Sequence, residues 1–213
     1  MQPFPNPDSI FRSAIADHIA VVRQLELQRP ALEAMARAMT QTLLAGGKIL
    51  WCGNGGSAAD AQHLAAEFVG RFRRERSGLA SLALSADTSV LTAIANDYGY
   101  SAVFARQVQA LGAPGDIVVG ISTSGNSANV LAAMEAALSN HLITIGFGGT
   151  DGGLMAACTH HLLHVESKDT ARIQEVHILA GHMLCDWVEL ACSDDSLASQ
   201  LMQESAPVSV PAA

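Results

Sequence analysis

The chain has 213 residues, 49% of them apolar and only 15% charged, which suits one domain with a sizeable hydrophobic core. Twelve basic against twenty acidic residues give a formal net charge of −8. That excludes a general nucleic-acid or membrane-binding surface, so any anionic ligand must be held by local groups. The four cysteines (Cys52, Cys158, Cys185, Cys192) form no C-x-x-C pair and read as buried free thiols of a reducing compartment. "MQPFPNPDSIF" has neither the basic nor the apolar part of a signal peptide, and no apolar run approaches the roughly 20 residues of a membrane span. A cytoplasmic protein with no membrane partner is expected.

Residues 8–29 and 31–46 carry apolar side chains at helical spacing, with Pro30 between them and "AGG" closing the second. They predict a helical hairpin, capped first by Asp8 or Ser9. From Lys48 short apolar runs alternate with helical segments: "KILWCG", "LASLALS", "DIVVGIS", "LITIGF" and "HHLLHV". All but the last are nearly continuous, as strands buried on both faces of a parallel sheet are. Helices are expected over 57–70, 88–96, 100–111, 126–139, 151–157 and about 170–192. The reading is a three-layer αβα, doubly wound domain of about five parallel strands over 48–192. A hairpin (1–47) precedes it, and a Ser-, Ala- and Pro-rich mobile tail (193–213) follows.

Such sheets bind ligands where strands lead into helices. After the third strand, "ISTSGNSAN" sets Ser122, Thr123, Ser124 and Ser127 just before a helix. Hydroxyls and free N–H groups at a helix start suit a phosphate when no lysine is available; a simple N-cap explains one hydroxyl, not four. After the first strand, "CGNGGSAAD" is neither a dinucleotide fingerprint nor a Walker loop. Its glycines allow close backbone approach to a ligand, and Ser57 is positioned to cap the helix.

His63 and Glu67 follow four residues apart on one helical face, with Ala61, Leu64, Ala65 and Phe68 leaving little polar surface around them. Gln174, Glu175, His177 and His182 lie on the last long helix, where His182 is read as buried or in a cleft. His160, His161 and His164 read as structural or exposed, and His18 and His141 lack context. "GRFRRER" is read as a solvated loop from which Arg71 is free to face an anion. Asn96 and Asp97, in the polar break "IANDYGY", suit sugar hydroxyls or a plain turn.

In this order, "CGNGGSAADAQHLAAEF", "LTAIANDYGY", "GISTSGNSANVL" and "RIQEVHILAGHMLCDWVE" closely resemble the phosphoheptose isomerases, members of the sugar isomerase (SIS) domain superfamily with its flavodoxin-like sheet. The resemblance runs from the hairpin to about residue 192. It implies isomerisation of sedoheptulose 7-phosphate to D-glycero-D-manno-heptose 7-phosphate, the first step toward ADP- or GDP-heptose for lipopolysaccharide or other surface glycans. It also implies Glu67 and His182 as the acid/base pair, and one Zn²⁺ per subunit on His63, Glu67, Gln174 and His182. The phosphate would sit on Ser122, Thr123, Ser124 and Ser127. Further substrate contacts would come from Asn54, Gly55, Gly56, Ser57, Glu67, Arg71, Asn96, Asp97 and Gln174, in a homotetramer with its sites at subunit interfaces. "GFGGTDGG" departs from the family, which often has threonine at the position of Gly148. Two other readings are a non-enzymatic SIS protein similar to the DnaA initiator-associating protein, and an isomerase for another sugar phosphate. Glu67, His182 and the intact "STSGNS" favour the enzyme.

Overall fold

In the computed structural model, which describes residues 6–203, the five apolar runs form one sheet. The strands are Ile49–Gly53 (β1), Ser81–Ala83 (β2), Ile117–Ser122 (β3), Ile143–Gly149 (β4) and His161–Val165 (β5). All pairings are parallel, in the order β2-β1-β3-β4-β5. The winding therefore reverses between β1 and β3, and the glycine turn and the hydroxyl loop leave the sheet at that switch point. The register puts the two exits at one level, Gly53 opposite Ile121.

Alternation along the strands feeds two cores. Ile49, Trp51, Ile117, Val119 and Ile121 face one side of the sheet, and Leu50, Cys52 and Val118 face the other. The first core is closed by Arg29–Leu44 (α2), Gly56–Val69 (α3) and Thr170–Ser193 (α7). The second is closed mainly by Ala105–Leu111 (α5) and Ala128–Ser139 (α6), with Thr88–Tyr98 (α4) partly buried against it. The edge strand β2 departs from the expected two-sided burial: it has three residues, and Leu82 is 43% exposed.

The hairpin forms as Pro7–Val22 (α1), a 3₁₀ turn over Arg23–Glu26, and α2. Asn6, not Asp8 or Ser9, caps α1, because its side chain accepts from the Asp8 N–H. His18 bonds Glu175 at 2.7 Å, and Arg172 Nη1 donates to the Ala14 carbonyl at 2.9 Å, tying α1 to α7. Beyond the domain, the expected mobile tail instead begins as a helix, Asp195–Gln203 (α8). Leu201 is 2% exposed there, and its carbonyl accepts from Gln41 Nε2, so an apolar anchor overrides the polar composition. Residues 204–213 lie outside the described residues.

All four cysteines are free, but only Cys52 and Cys185 are buried. Burial pushes both thiols up to about 12. Among the described residues, no helix is long and apolar enough to cross a membrane.

Candidate active site

The glycine turn is shaped by its backbone. Gly55, at φ +56°, is the N-cap of α3, and a Cβ on Gly53 would stand 2.8 Å from the Ser57 carbonyl oxygen. Ser57 is not the cap: its side chain is turned inward and 3% exposed. The Gln174 amide lies over the turn, 2.5 Å from where a Cβ of Gly56 would be. Asn54 and Asn129 exchange two amide hydrogen bonds of 2.8 Å, which lock the turn to the start of α6; the Tyr100 hydroxyl donates to Asn54 Oδ1 at 3.2 Å.

Helices α3 and α7 run side by side in the same direction, Gly56 against Gln174 and His63 against His182. Gly181 permits the close approach, because a Cβ there would meet Leu64 Cδ1 at 2.5 Å. His63 Nε2 and His182 Nε2 consequently face each other at 2.8 Å, with Glu67 Oε1 3.4 Å from His63 Nε2. The donor atoms of His63, Glu67 and His182 all lie within 4.8 Å of one another. Gln174 lies two turns before His182, about 12 Å along the helix, on the side of the glycine turn. Burial first, and then the neighbouring His63, hold the His182 imidazole below its usual pKa; Glu67 opposes them and Arg73 adds to them. Asp60, one turn before His63, has its carboxyl raised by burial, and its Oδ2 is buried without a partner.

Two facing imidazole nitrogens can share at most one proton, and the carboxylate beside them adds negative charge. That donor set suits a cation. Tetrahedral Zn²⁺ with Zn–N of about 2.0–2.1 Å separates two nitrogens by about 3.3 Å, a small opening from the present 2.8 Å.

At the hydroxyl loop, Ser122 Oγ stands 3.0 Å from Ser127 Oγ and 3.4 Å from Ser124 Oγ, and Ser124 Oγ accepts from the Asn126 N–H. Ser127 is the N-cap of α6, yet its hydroxyl makes no cap bond and pairs with Ser122 Oγ instead. A cavity of about 280 Å³ opens beside Thr123 and Ser124 and is also lined by Thr150, Ser167 and Lys168. Lys168 is thus a cation next to a loop read from sequence as lacking one. Gly148 has no room for the family's threonine, since its Cβ would be 2.9 Å from Gly152 Cα. Its carbonyl instead accepts from the buried His177 Nε2 at 3.0 Å; burial lowers that imidazole to about 4. An apolar cavity of about 480 Å³ between β2, α4 and α5 holds none of the candidate residues.

Other predicted residues stand apart. Asn96 and Asp97 belong to the last turn of α4, not to a break; both are exposed, and Asn96 Nδ2 bonds Asp97 Oδ1. Arg71 is exposed, 3.7 Å from Glu75.

"GRFRRER" is a solvated loop only in part, at Arg71, Arg73 and Glu75. Arg76 donates to the carbonyls of Glu67, Phe68 and Gly70, capping the C-terminus of α3. Glu189, 1% exposed, accepts from the backbone N–H groups of Phe72, Arg73 and Arg74, each at 2.8 Å, and stands 3.3 Å from Arg76 Nε. Sequence reasoning missed Glu189, because "DWVEL" reads as an ordinary amphipathic helix.

Burial disfavours the charged form of Glu189, but the three N–H groups and Arg76 outweigh it and hold the carboxyl below the usual glutamate range. Its stabilisation is therefore complete above the unfolded value of about 4.3, and is lost as pH falls through the lower folded value. Glu189→Gln should cost about 3 kcal/mol in urea unfolding at pH 7, since it breaks a buried pair. The gap to wild type should narrow below about pH 4; a gap constant down to pH 3 would refute the ionised clamp.

A glycine turn and a hydroxyl-rich helix start at the switch point of a 2-1-3-4-5 sheet, beside a His/Glu/His cluster, define a SIS domain. A SIS domain family model matches residues 13–149. A phosphoheptose isomerase from Roseiflexus sp. is 59% identical over 167 residues, 78% of this chain and 85% of that protein. One from Helicobacter hepaticus is 50% identical over 88% of this chain and 95% of its own. The structure of phosphoheptose isomerase GmhA from Neisseria gonorrhoeae superposes with a TM-score of 0.82 at 46% identity, covering 87% of this chain and all of that one. The chain belongs to the phosphoheptose isomerase family.

Proposed function

We infer that the protein interconverts sedoheptulose 7-phosphate and D-glycero-D-manno-heptose 7-phosphate, and so starts the supply of heptose for lipopolysaccharide or other surface glycans. The observation that carries this reading is the convergence of Glu67, His63 and His182 beside a glycine turn that is locked, through Asn54 and Asn129, to the hydroxyl loop. In the ketose-to-aldose direction a proton leaves C1, the electron pair forms the enediolate, and a proton returns at C2. The proton of the C1 hydroxyl passes to the oxygen on C2. Glu67 and His182 share these transfers; burial, which lowers the His182 pKa, favours its neutral form, able to accept and then return a proton.

Ser122, Thr123, Ser124 and Ser127 hold the phosphate, with the start of α6 adding favourable potential. Asn54, Gly55, Gly56, Ser57 and Gln174 hold the sugar. His63, Glu67 and His182, with Gln174 as fourth donor, would hold a Zn²⁺ ion, whose chemistry there would be to polarise the carbonyl. The protein works as a cytoplasmic homotetramer with sites at subunit interfaces. That assembly accounts for α1, which has no buried residue and exposes Phe11 and Ile15 at 67% and 62%. It also lets the exposed Asn96, Asp97 and Arg71 serve a neighbour's site.

The test is an isomerase assay on sedoheptulose 7-phosphate with and without a chelator. Aldose product is expected, lost on chelation and restored by Zn²⁺. A folded chain making no aldose would overturn the substrate. Full activity after chelation would remove zinc and leave the isomerase.

A further inference from the structure

His182 has a second neighbour besides the donor cluster. The Phe72 ring stacks on its imidazole, with centroids 5.3 Å apart and planes 21° apart. The guanidinium carbon of Arg73 lies 5.1 Å from the Phe72 centroid, and Arg73 is held by Asp186 at 3.0 Å, four residues beyond His182. Glu189 grips the backbone of Phe72 itself, at 2.8 Å. The loop that carries Phe72 is thus fastened to α7 at Asp186 and Glu189, on the same helix as the histidine it covers.

The outer torsion of a histidine is broad and nearly two-fold, so the backbone alone does not fix the ring plane. Among the described residues, hydrogen bonding holds the His182 ring only at Nε2. A planar apolar face against the imidazole supplies the missing restraint. We propose that Phe72 is a positioning residue: its ring sets the plane of His182, and Glu189 sets Phe72. The phenyl group offers no donor or acceptor and acts only through the imidazole. The inference rests on His182 serving proton transfer and the cation.

The test compares Phe72→Tyr, which keeps the flat face, with Phe72→Leu, which keeps much of the apolar bulk without it. Phe72→Met replaces Phe72→Leu if the latter fails to fold. Two readouts are taken: kcat and KM for the sugar phosphate, and Zn²⁺ affinity of the metal-free protein by competition with a chromophoric chelator. Phe72→Tyr should stay within about twofold of wild type in both. Phe72→Leu should lower kcat and weaken Zn²⁺ binding about tenfold each, with KM nearly unchanged. A Leu variant equal to wild type, a Tyr variant as damaged as Leu, or a loss confined to KM would overturn the proposal. If wild type lacks isomerase activity, the substrate reading fails and the zinc readout still decides Phe72; if wild type binds no zinc, the kcat readout does.

Discussion

Glu67→Gln and His182→Asn should each lower kcat by about 100- to 10,000-fold while the melting temperature stays within a few degrees of wild type. Glu67 is half-buried and pairs with His63 at the i,i+4 spacing, at 3.4 Å. Such a pair contributes only about 0.5 kcal/mol, so the amide leaves the helix intact and removes the ionisable group of the proposed acid/base pair. Asn at 182 keeps a polar side chain but cannot cycle a proton. Circular dichroism melts with steady-state kinetics on both variants separate chemistry from folding. Activity within tenfold of wild type in either variant would sink the assignment of that residue to the acid/base pair.

The second large effect is expected at Gly125, in the hydroxyl loop. It sits at φ +64°, and a Cβ there would lie 1.9 Å from the Gly152 carbonyl oxygen and 2.4 Å from its carbon. Backbone cannot yield as a flexible side chain does. Gly125 also bridges the loops: its N–H donates to Ser122 O, and its carbonyl accepts from the Met155 N–H. Gly125→Ala should therefore cost about 3 kcal/mol, combining left-handed strain with overpacking. By moving Ser124 and Ser127 it should raise KM for the phosphorylated sugar about tenfold or more, since several phosphate hydrogen bonds are misplaced together. Gly46→Ala is the control: φ is +83°, nothing lies within 4 Å, and the residue is remote from the loop. It should cost only about 1–2 kcal/mol and leave KM alone. Equal KM effects in the two variants would refute the loop's role.

The sequence made legible whatever is decided by near neighbours along the chain. The glycine turn, the hydroxyl-rich start of α6 and the His63–Glu67 pair each express local geometry, and the apolar runs with helices between them led directly to the parallel sheet. His182 was different. Nothing in its surroundings says that it meets His63, 119 residues earlier; that came from family resemblance, and the contact depends on the missing side chain of Gly181 against Leu64. Glu189 and Phe72 were invisible for the same reason, because a carboxylate that accepts three N–H groups from a distant loop looks like any glutamate on an amphipathic helix. Ser57 was misread because the rule for caps knows nothing of the core beneath, and α8 because the composition of a tail does not reveal one buried leucine.

The pairing of α3 with α7 also bears on how the enzyme comes into being during synthesis. The glycine turn and hydroxyl loop belong to the first two-thirds of the chain, whereas His182 lies near the end of the domain and meets α3 only after a long loop has closed. A nascent chain that has assembled β1, β3, α3 and α6 already has both loops of the switch point and the His63–Glu67 pair, but lacks the imidazole that faces His63. With His182 in the proposed acid/base pair, turnover begins only when the last long helix docks, so the arrival of activity reports completion of the fold.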